Sequence, residues 1–242
     1  MTRERADRVL VTRGLFESRA RAQAAIAAGL VTADGVPVRK ASEAIAPGAV
    51  IESAPEHPYV SRGGIKLAAA LDHFHIDVAE SVCLDVGAST GGFTEVLILR
   101  GARKVYAVDV GSGQLHSRLR AHGAVVSLEQ TDIRGLDPAK FGVQPDFATI
   151  DVSFISLKHV LPAVSPLLAP PARLLALIKP QFETSRRFIK KGIVREEAVQ
   201  RAVCEDIGAH LAALGWDIGG IVASAILGGD GNREFFIAAE RA

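Results

Sequence analysis

Short apolar runs that stop at a polar residue recur through most of the chain. Ser81–Leu84 stops at Asp85, Lys104–Val108 at Asp109, Phe147–Ile150 at Asp151 and Arg173–Ile178 at Lys179, while Val125–Leu128 leads on to Asp132. Apolar runs of this length read as strands buried on both faces. Segments between them read as helices: Gly92–Arg100, Gln114–Ala121 and a stretch around Leu157–Leu168. Such alternation predicts an α/β fold with a mostly parallel sheet, whose ligands collect beyond the carboxyl ends of the strands. A single polar terminus is ordinary solvation; a succession of them at one edge marks a site.

The pattern changes near the end. Trp216–Ile226 and Glu234–Ala239 are strand-like and joined by the glycine-rich Leu227–Arg233, which reads as a hairpin. An antiparallel last strand would bring Glu234 to the same edge as Asp151 and Lys179. A parallel sheet closed by an antiparallel hairpin is the Rossmann-like methyltransferase architecture; the dehydrogenase form normally lacks it.

The first turn of the sheet narrows the ligand. Leu84-Asp85-Val86-Gly87-Ala88-Ser89-Thr90-Gly91-Gly92-Phe93 runs from strand through tight turn to helix. Glycines let the backbone approach a ligand, and the helix start offers free N–H groups. The spacing is Gly-x-Ser-x-Gly-Gly rather than the dinucleotide pattern Gly-x-Gly-x-x-Gly. S-adenosylmethionine has no phosphates and needs close backbone approach, an acid for the ribose and a site for adenine. Asp85, Gly87, Ser89, Gly91, Gly92 and Phe93 are expected around its methionine part, Asp109 on the ribose diol and Asp132 on the adenine amino group. NAD would also use Asp109, but the turn spacing differs and no hydride-transfer acid or base follows.

Residues 1–54 have another grammar. Arg5–Arg13 reads as a short helix ending at Gly14. Ser18 is placed to cap a second helix through about Ala28, ended by Gly29. Val31–Val38 reads as a hairpin turning on Asp34-Gly35, Pro47-Gly48 as a turn and Val50-Ile51 as a last strand. Arg3, Arg5, Arg8, Arg13, Arg19 and Arg21 crowd the two helices, interspersed with acids such as Glu4, Asp7 and Glu17. This order of elements resembles the S4 domain, a small RNA-binding α+β module. The resemblance implies that Arg5, Ser18, Arg19, Arg21 and Lys40 contact RNA phosphates, with affinity falling as salt rises. Residues 55–60, with two prolines, read as a semi-rigid linker, and residues 61–242 as the second domain.

Composition sets limits. A chain of 242 residues, 48% hydrophobic, holds one large α/β domain and a small one. The net charge of +1 leaves any nucleic-acid partner to local basic patches. No apolar run is long enough to span a bilayer, and the start of the chain is charged, which leads to the expectation of a cytoplasmic protein. Cys83 and Cys204 lack metal or redox spacing and read as buried free thiols; no metal is expected.

Four further residues carry candidate chemistry. Lys66 lies in Ser61-Arg62-Gly63-Gly64-Ile65-Lys66-Leu67, inside a helix with the apolar stripe Leu67, Leu71 and Phe74. Asp151 opens Asp151-Val152-Ser153-Phe154, Lys179 opens Lys179-Pro180-Gln181-Phe182-Glu183, and Glu234 lies in Gly231-Asn232-Arg233-Glu234-Phe235. Alone, Lys66 reads as a surface lysine, whereas Lys179 closes a nearly continuous apolar strand.

At these positions the chain resembles the TlyA (hemolysin A) family of RNA methyltransferases, whose catalytic domain is similar to FtsJ-type ribose 2′-O-methyltransferases. The match covers Ser61–Gly64, Asp85–Phe93, Asp151–Phe154, Lys179–Glu183 and Gly231–Phe235 as well as the S4-like segment. The resemblance implies a catalytic Lys-Asp-Lys-Glu tetrad at Lys66, Asp151, Lys179 and Glu234. It further implies methyl transfer from S-adenosylmethionine to ribose 2′-hydroxyls of cytidines in ribosomal RNA. A lysine base, ordinarily near a pKa of about 10.4, needs burial or a nearby cation to become neutral. Lys66 is expected beside Lys179 as that cation, Asp151 as an orienting charge and Glu234 as an orienting acid. Arg62, Arg186 and Arg187, with Lys190 and Lys191 further on, are expected to grip RNA phosphates. Rival readings are an RNA-binding protein without catalysis, a small-molecule methyltransferase that leaves the S4-like segment unexplained, and a membrane-lysing protein suggested only by the hemolysin name.

Overall fold

The computed structural model describes residues 3–16, 18–53 and 57–242. It divides into two compact units, Met1–Pro58 and Tyr59–Ala242. Met1, Thr2, Glu17, Ala54 and the linker residues Pro55 and Glu56 lie outside the described residues.

The smaller unit runs β1 (Glu4–Arg5), α1 (Ala6–Thr12), α2 (Arg19–Ala27), β2 (Val31–Ala33), β3 (Val36–Pro37), β4 (Ala44–Ile45) and β5 (Ile51–Ser53). Ser18 caps α2, its Oγ accepting from the Arg21 N–H at 3.3 Å. The β2–β3 turn places Asp34 at φ 52° and Gly35 at φ 76°, the mirror-image geometry that Asp-Gly favours. Strand β2 pairs antiparallel with β3 and β5. The β1–β4 pair, too short to read from the sequence, closes the other side. Leu10, Ala22, Ile26, Val31, Val38 and Ile45 form the core beneath the helices.

The larger unit runs α3 (Gly63–His73), β6 (Val82–Val86), α4 (Gly92–Leu99), β7 (Lys104–Val108), α5 (Ser117–Arg120), β8 (Val125–Leu128), β9 (Phe147–Ile150), α6 (Leu157–Val164), β10 (Ala172–Ile178), α7 (Pro180–Glu183), α8 (Glu197–Ala213), β11 (Asp217–Ala223) and β12 (Phe235–Arg241). The strands form one seven-stranded sheet in the order β11-β12-β10-β9-β6-β7-β8. Strand β12 is antiparallel to both neighbours, and the pairs from β10 to β8 are parallel.

Both faces of the sheet interior are covered, which is why its strands are apolar at successive positions, whereas the edge strand β11 is largely exposed. Val82, Leu84 and Val86 join one cluster with Leu161 of α6 and Ile207 of α8. Cys83, between them, joins the other with Leu67 and Leu71 of α3 and Leu97 of α4. Burial pushes the Cys83 thiol up and the Cys204 thiol up to about 11, so both free cysteines stay protonated at neutral pH.

Two segments depart from expectation. The helix expected over 114–121 shrinks to Ser117–Arg120, because Glu129 draws the N–H groups of Gln114 and Leu115 into a loop. The long α8, Glu197–Ala213, has no counterpart among the helices expected from the sequence.

Candidate active site

The sheet register sets the site. Asp151 follows β9 and Lys179 follows β10. Ile178 pairs with Phe235, so the antiparallel β12 brings Glu234 in beside Lys179. Lys66, in the second turn of α3, reaches the same place: its Nζ donates to Glu234 Oε2 at 2.6 Å. Lys179 Nζ lies 2.7 Å from Asp151 Oδ1 and donates to Ser153 Oγ at 2.8 Å. Asp151 Oδ1 is at ion-pair distance without hydrogen-bond alignment. Glu234 is 3% and Lys179 9% exposed, so the charges sit in a largely enclosed edge. Lys66 and Lys179, expected beside one another, each have their own acid.

Gly228 makes room for this arrangement, because a Cβ there would fall 2.4 Å from Glu234 Oε1. Phe154, absent from the expected set, lies just beyond Ser153. It is 89% exposed at φ 64° with its ring centroid 5.0 Å from that of Phe182. A solvated aromatic in a left-handed backbone conformation is the signal that sequence reading lacked.

The glycine turn lies at the same edge. Gly87 adopts φ 84°, and a Cβ on it would lie 2.3 Å from the Asp151 carbonyl oxygen. Gly91 adopts φ 97° as the residue before α4. Asp109 organises the turn from β7: its carboxylate accepts from the Ser89 N–H at 2.8 Å and the Gly111 N–H at 2.7 Å. Ser89 Oγ donates to Gln114 Oε1 at 3.1 Å. Glu129, the acid that directly ends β8, accepts from the Gln114 and Leu115 N–H groups at 2.6 and 3.0 Å. These backbone donors, above all, hold Glu129 below the usual carboxylate range. Asp132, expected on the adenine, is exposed and clasped by its neighbour Arg134, which lowers it to about 2.

Three of the expected cofactor residues turn inward. Asp85 is fully buried, and its oxygens accept from Thr94 Oγ1 at 2.6 Å and Thr149 Oγ1 at 3.0 Å. Burial pushes it up to about 7, the hydroxyls and nearby Asp151 acting as smaller influences. Phe93 is 3% exposed and stacks on Phe236 at 6.0 Å. Gly92 leaves space for Ser61, whose Oγ would lie 2.2 Å from an added Cβ. All three shape the turn from below, while Gly87 is half-buried and Ser89 exposed on its outer run, and Gly91 is buried against Leu119.

The candidate RNA contacts divide in the same way. Arg5 Nε and Arg19 NH2 lie 3.0 and 2.7 Å from the two oxygens of Asp7, and Gln23 Nε2 donates to Asp7 Oδ2 at 2.7 Å. The Asp7 side chain is shut off from solvent by these partners, which hold its carboxyl well below the usual range. Ser18 is engaged as the α2 cap. Arg21 and Lys40 lie on the surface of the small unit. Arg62 donates to the Leu227 carbonyl at 3.1 Å. Arg186 and Arg187 are exposed after α7, with Arg187 over the Phe188 ring.

The edge suits S-adenosylmethionine. Each Asp109 oxygen keeps a lone pair for a ribose hydroxyl. Val110, next to Asp109 and 73% exposed, is an apolar platform of the kind a purine ring covers. No His, Cys, Asp and Glu group among the described residues could hold a metal, and no helix there is long and apolar enough to cross a membrane.

Comparison with known proteins agrees with this geometry. Residues 59–241 match the model of the FtsJ-like methyltransferases, and residues 4–51 match the S4 domain. The 16S/23S rRNA (cytidine-2′-O)-methyltransferase TlyA of Mycobacterium tuberculosis is 42% identical over 97% of this chain and 89% of its own. A solved structure from Streptococcus thermophilus, named a hemolysin, superposes with a TM-score of 0.79 at 42% identity, covering 100% of this chain and 90% of that one. The N-methyltransferase NodS of Bradyrhizobium japonicum, in complex with S-adenosyl-L-homocysteine, shares the fold at a TM-score of 0.52 and 16% identity, over 74% of this chain and 85% of that one.

Proposed function

Because the chain belongs to the FtsJ-like methyltransferase family and carries an S4 domain, we propose that it is a cytoplasmic enzyme that methylates ribose 2′-hydroxyls, those of cytidines, in ribosomal RNA or ribosomal subunits. The observation that carries this reading is the enclosed pair of ion pairs, Lys66–Glu234 and Lys179–Asp151, beside the Gly87–Gly91 turn. In this reading the outer turn, Asp109 and Asp132 hold the cofactor, and Asp85, Gly92 and Phe93 position the turn from within. Arg134 must release Asp132 before adenine can reach it.

S-adenosylmethionine, when bound, supplies a methyl carbon activated by its sulfonium. A hydroxyl is a poor nucleophile until its proton is removed in the transition state. Lys179 Nζ accepts that proton when it is in its neutral form, and the ammonium so formed is held between Asp151 and Ser153 Oγ. Glu234, fixed by Lys66, orients the ribose at the mouth of the edge. The enclosure excludes water from the transfer, and holding the oxygen in line with the methyl contributes as much as the base. Arg5, Arg19 and Arg21, with Ser18 and Lys40, engage RNA phosphates from the S4 unit; Arg62, Arg186 and Arg187 do so near the edge.

The test is methyl transfer from labelled S-adenosylmethionine to ribosomal subunits, with the product mapped as 2′-O-methyl nucleotides. Lys179→Ala is expected to slow transfer by about 10²–10⁴-fold with cofactor affinity retained. Unchanged transfer by a folded Lys179→Ala variant overturns the base assignment, and no transfer by the unsubstituted protein overturns the enzyme reading in favour of RNA binding alone.

A further inference from the structure

The basic segment beyond Lys179 is more ordered than a surface loop. The Lys190 N–H donates to the Ile193 carbonyl and the Ile193 N–H to the Lys190 carbonyl, each at 3.0 Å. These bonds close a two-residue turn whose central residues, Lys191 and Gly192, lie at φ 52° and φ 80°. That is the geometry of a type I′ turn, where the first central position ordinarily goes to Asn, Asp or Gly. A lysine there is held in a left-handed conformation that disfavours its side chain. Strain of this kind in an exposed position points to a use for the side chain itself. Both lysines are exposed, and Lys190 shares only a long contact of 3.8 Å with Glu196.

The turn is held from behind by Asn232, which is 1% exposed. Its Nδ2 donates to the Gly192 carbonyl at 2.8 Å, and its Oδ1 accepts from the Val194 N–H at 3.0 Å. The side-chain amide thus pairs with the returning limb of the turn as a neighbouring strand would. Asn232 is itself fixed, its carbonyl accepting from the Gly228 N–H at 2.9 Å. Gln200 of α8 grips the same limb, its Nε2 donating to the Val194 carbonyl at 2.8 Å. Asn232 stands two positions before Glu234, so one short loop carries both the acid of the edge and the anchor of the lysine turn.

We propose that the Lys190–Ile193 turn is a finger that grips a phosphate of the RNA substrate, and that Asn232 is the positioning residue that aims it at the Glu234 edge. The proposal rests on the methyltransferase reading above. A backbone phosphate is the ligand that suits an exposed lysine at a fixed distance from a site that takes a ribose, since phosphate contacts set register without reading sequence. Asn232 touches no substrate and acts through the turn.

The decisive measurements are the KM for purified ribosomal subunits and the affinity for the same subunits without cofactor, each across about 50–200 mM salt. Lys191→Asn suits the turn better than lysine does and removes only the charge. It is expected to raise KM several-fold and to lower the slope of log affinity against log salt by about 1. Asn232→Ala is expected to act in the same direction, and the double variant to add little, since both work through one finger. S-adenosylmethionine affinity, measured by titration, is expected to stay at the unsubstituted value. Should Asn232→Ala lose its fold, Asn232→Asp, which keeps the acceptor for Val194 and loses the donor to Gly192, takes its place. A wild-type KM and salt slope in Lys191→Asn overturn the finger. A parallel loss of cofactor affinity in the Asn232 variants overturns the positioning role in favour of a merely structural one. If the unsubstituted protein transfers no methyl group, the enzyme reading fails, while binding without cofactor still decides the finger.

Discussion

Glu234 and Lys66 are separated by 168 positions in the sequence and by 2.6 Å between Oε2 and Nζ. The contact joins α3, at the start of the larger unit, to the loop that leads into β12. Its side chains are 4% and 11% exposed, respectively, so the pair is screened little by solvent. Lys179 and Asp151 make a second pair on the adjoining strands.

Removing one partner of the first pair leaves a buried charge unmatched. Lys66→Met is expected to destabilise the larger unit by about 3–5 kcal/mol. The double variant Lys66→Met/Glu234→Gln should regain most of that stability yet remain inactive. Urea unfolding midpoints together with methyl-transfer rates check this, and a fully active double variant would refute a chemical role for the pair.

Gly87 is required by a neighbouring strand as much as by its own turn. An alanine Cβ at φ 84° would press to 2.3 Å from the Asp151 carbonyl oxygen. Gly87→Ala is therefore expected to weaken cofactor binding at least tenfold and to cost about 2 kcal/mol of stability, the left-handed conformation alone accounting for about 1–2 kcal/mol. Calorimetric titration with S-adenosylmethionine reads the first effect and urea unfolding the second.

Asp85 makes stability depend on pH. Its value in the fold, about 7, lies above the reference 3.8, so the folded protein holds the extra proton between those values. The stability it contributes is complete below the reference value and is lost as pH rises through about 7. Unfolding midpoints of the natural protein should fall relative to Asp85→Asn across this window, at no more than about 1.4 kcal/mol per pH unit. Parallel curves for the two proteins would show that Asp85 does not titrate there.

Phe154 offers a flat apolar face beside the proposed base. Stacking of one nucleobase on it contributes about 1–3 kcal/mol, so Phe154→Ala is expected to raise the KM for ribosomal subunits by about tenfold or more. Phe154→Trp should retain most of the affinity. An unchanged KM in the alanine variant would remove the aromatic from the RNA-contacting surface.

The alternation of apolar strands and helices was readable because every strand of the sheet interior is covered on both faces, leaving unbroken apolar runs such as Leu174–Ile178. The polar residues ending those runs marked the edge for the same reason. Asp85 was harder to place, since a carboxylate one residue inside a strand looks in one dimension like one at its end. Only Thr94 and Thr149, brought together by the fold, show that it faces the interior. Glu129 and Asp132 stand three positions apart, and their difference lies in their partners: the loop at 113–115 aims its N–H groups at Glu129, while Asp132 is taken by Arg134. The partner of each lysine was likewise invisible, because the β10–β12 register and the reach of α3 decide it.

Strand β12 lies inside the sheet, between β10 and β11, although it is the last strand in sequence. During synthesis the flank of β10 therefore stays open until residues 235–241 emerge. A growing chain presents an unpaired apolar edge over that interval, the kind of surface that invites mispairing or chaperone capture. Glu234 enters with the closing strand, so a nascent chain that has not finished its sheet cannot hold a complete reaction centre.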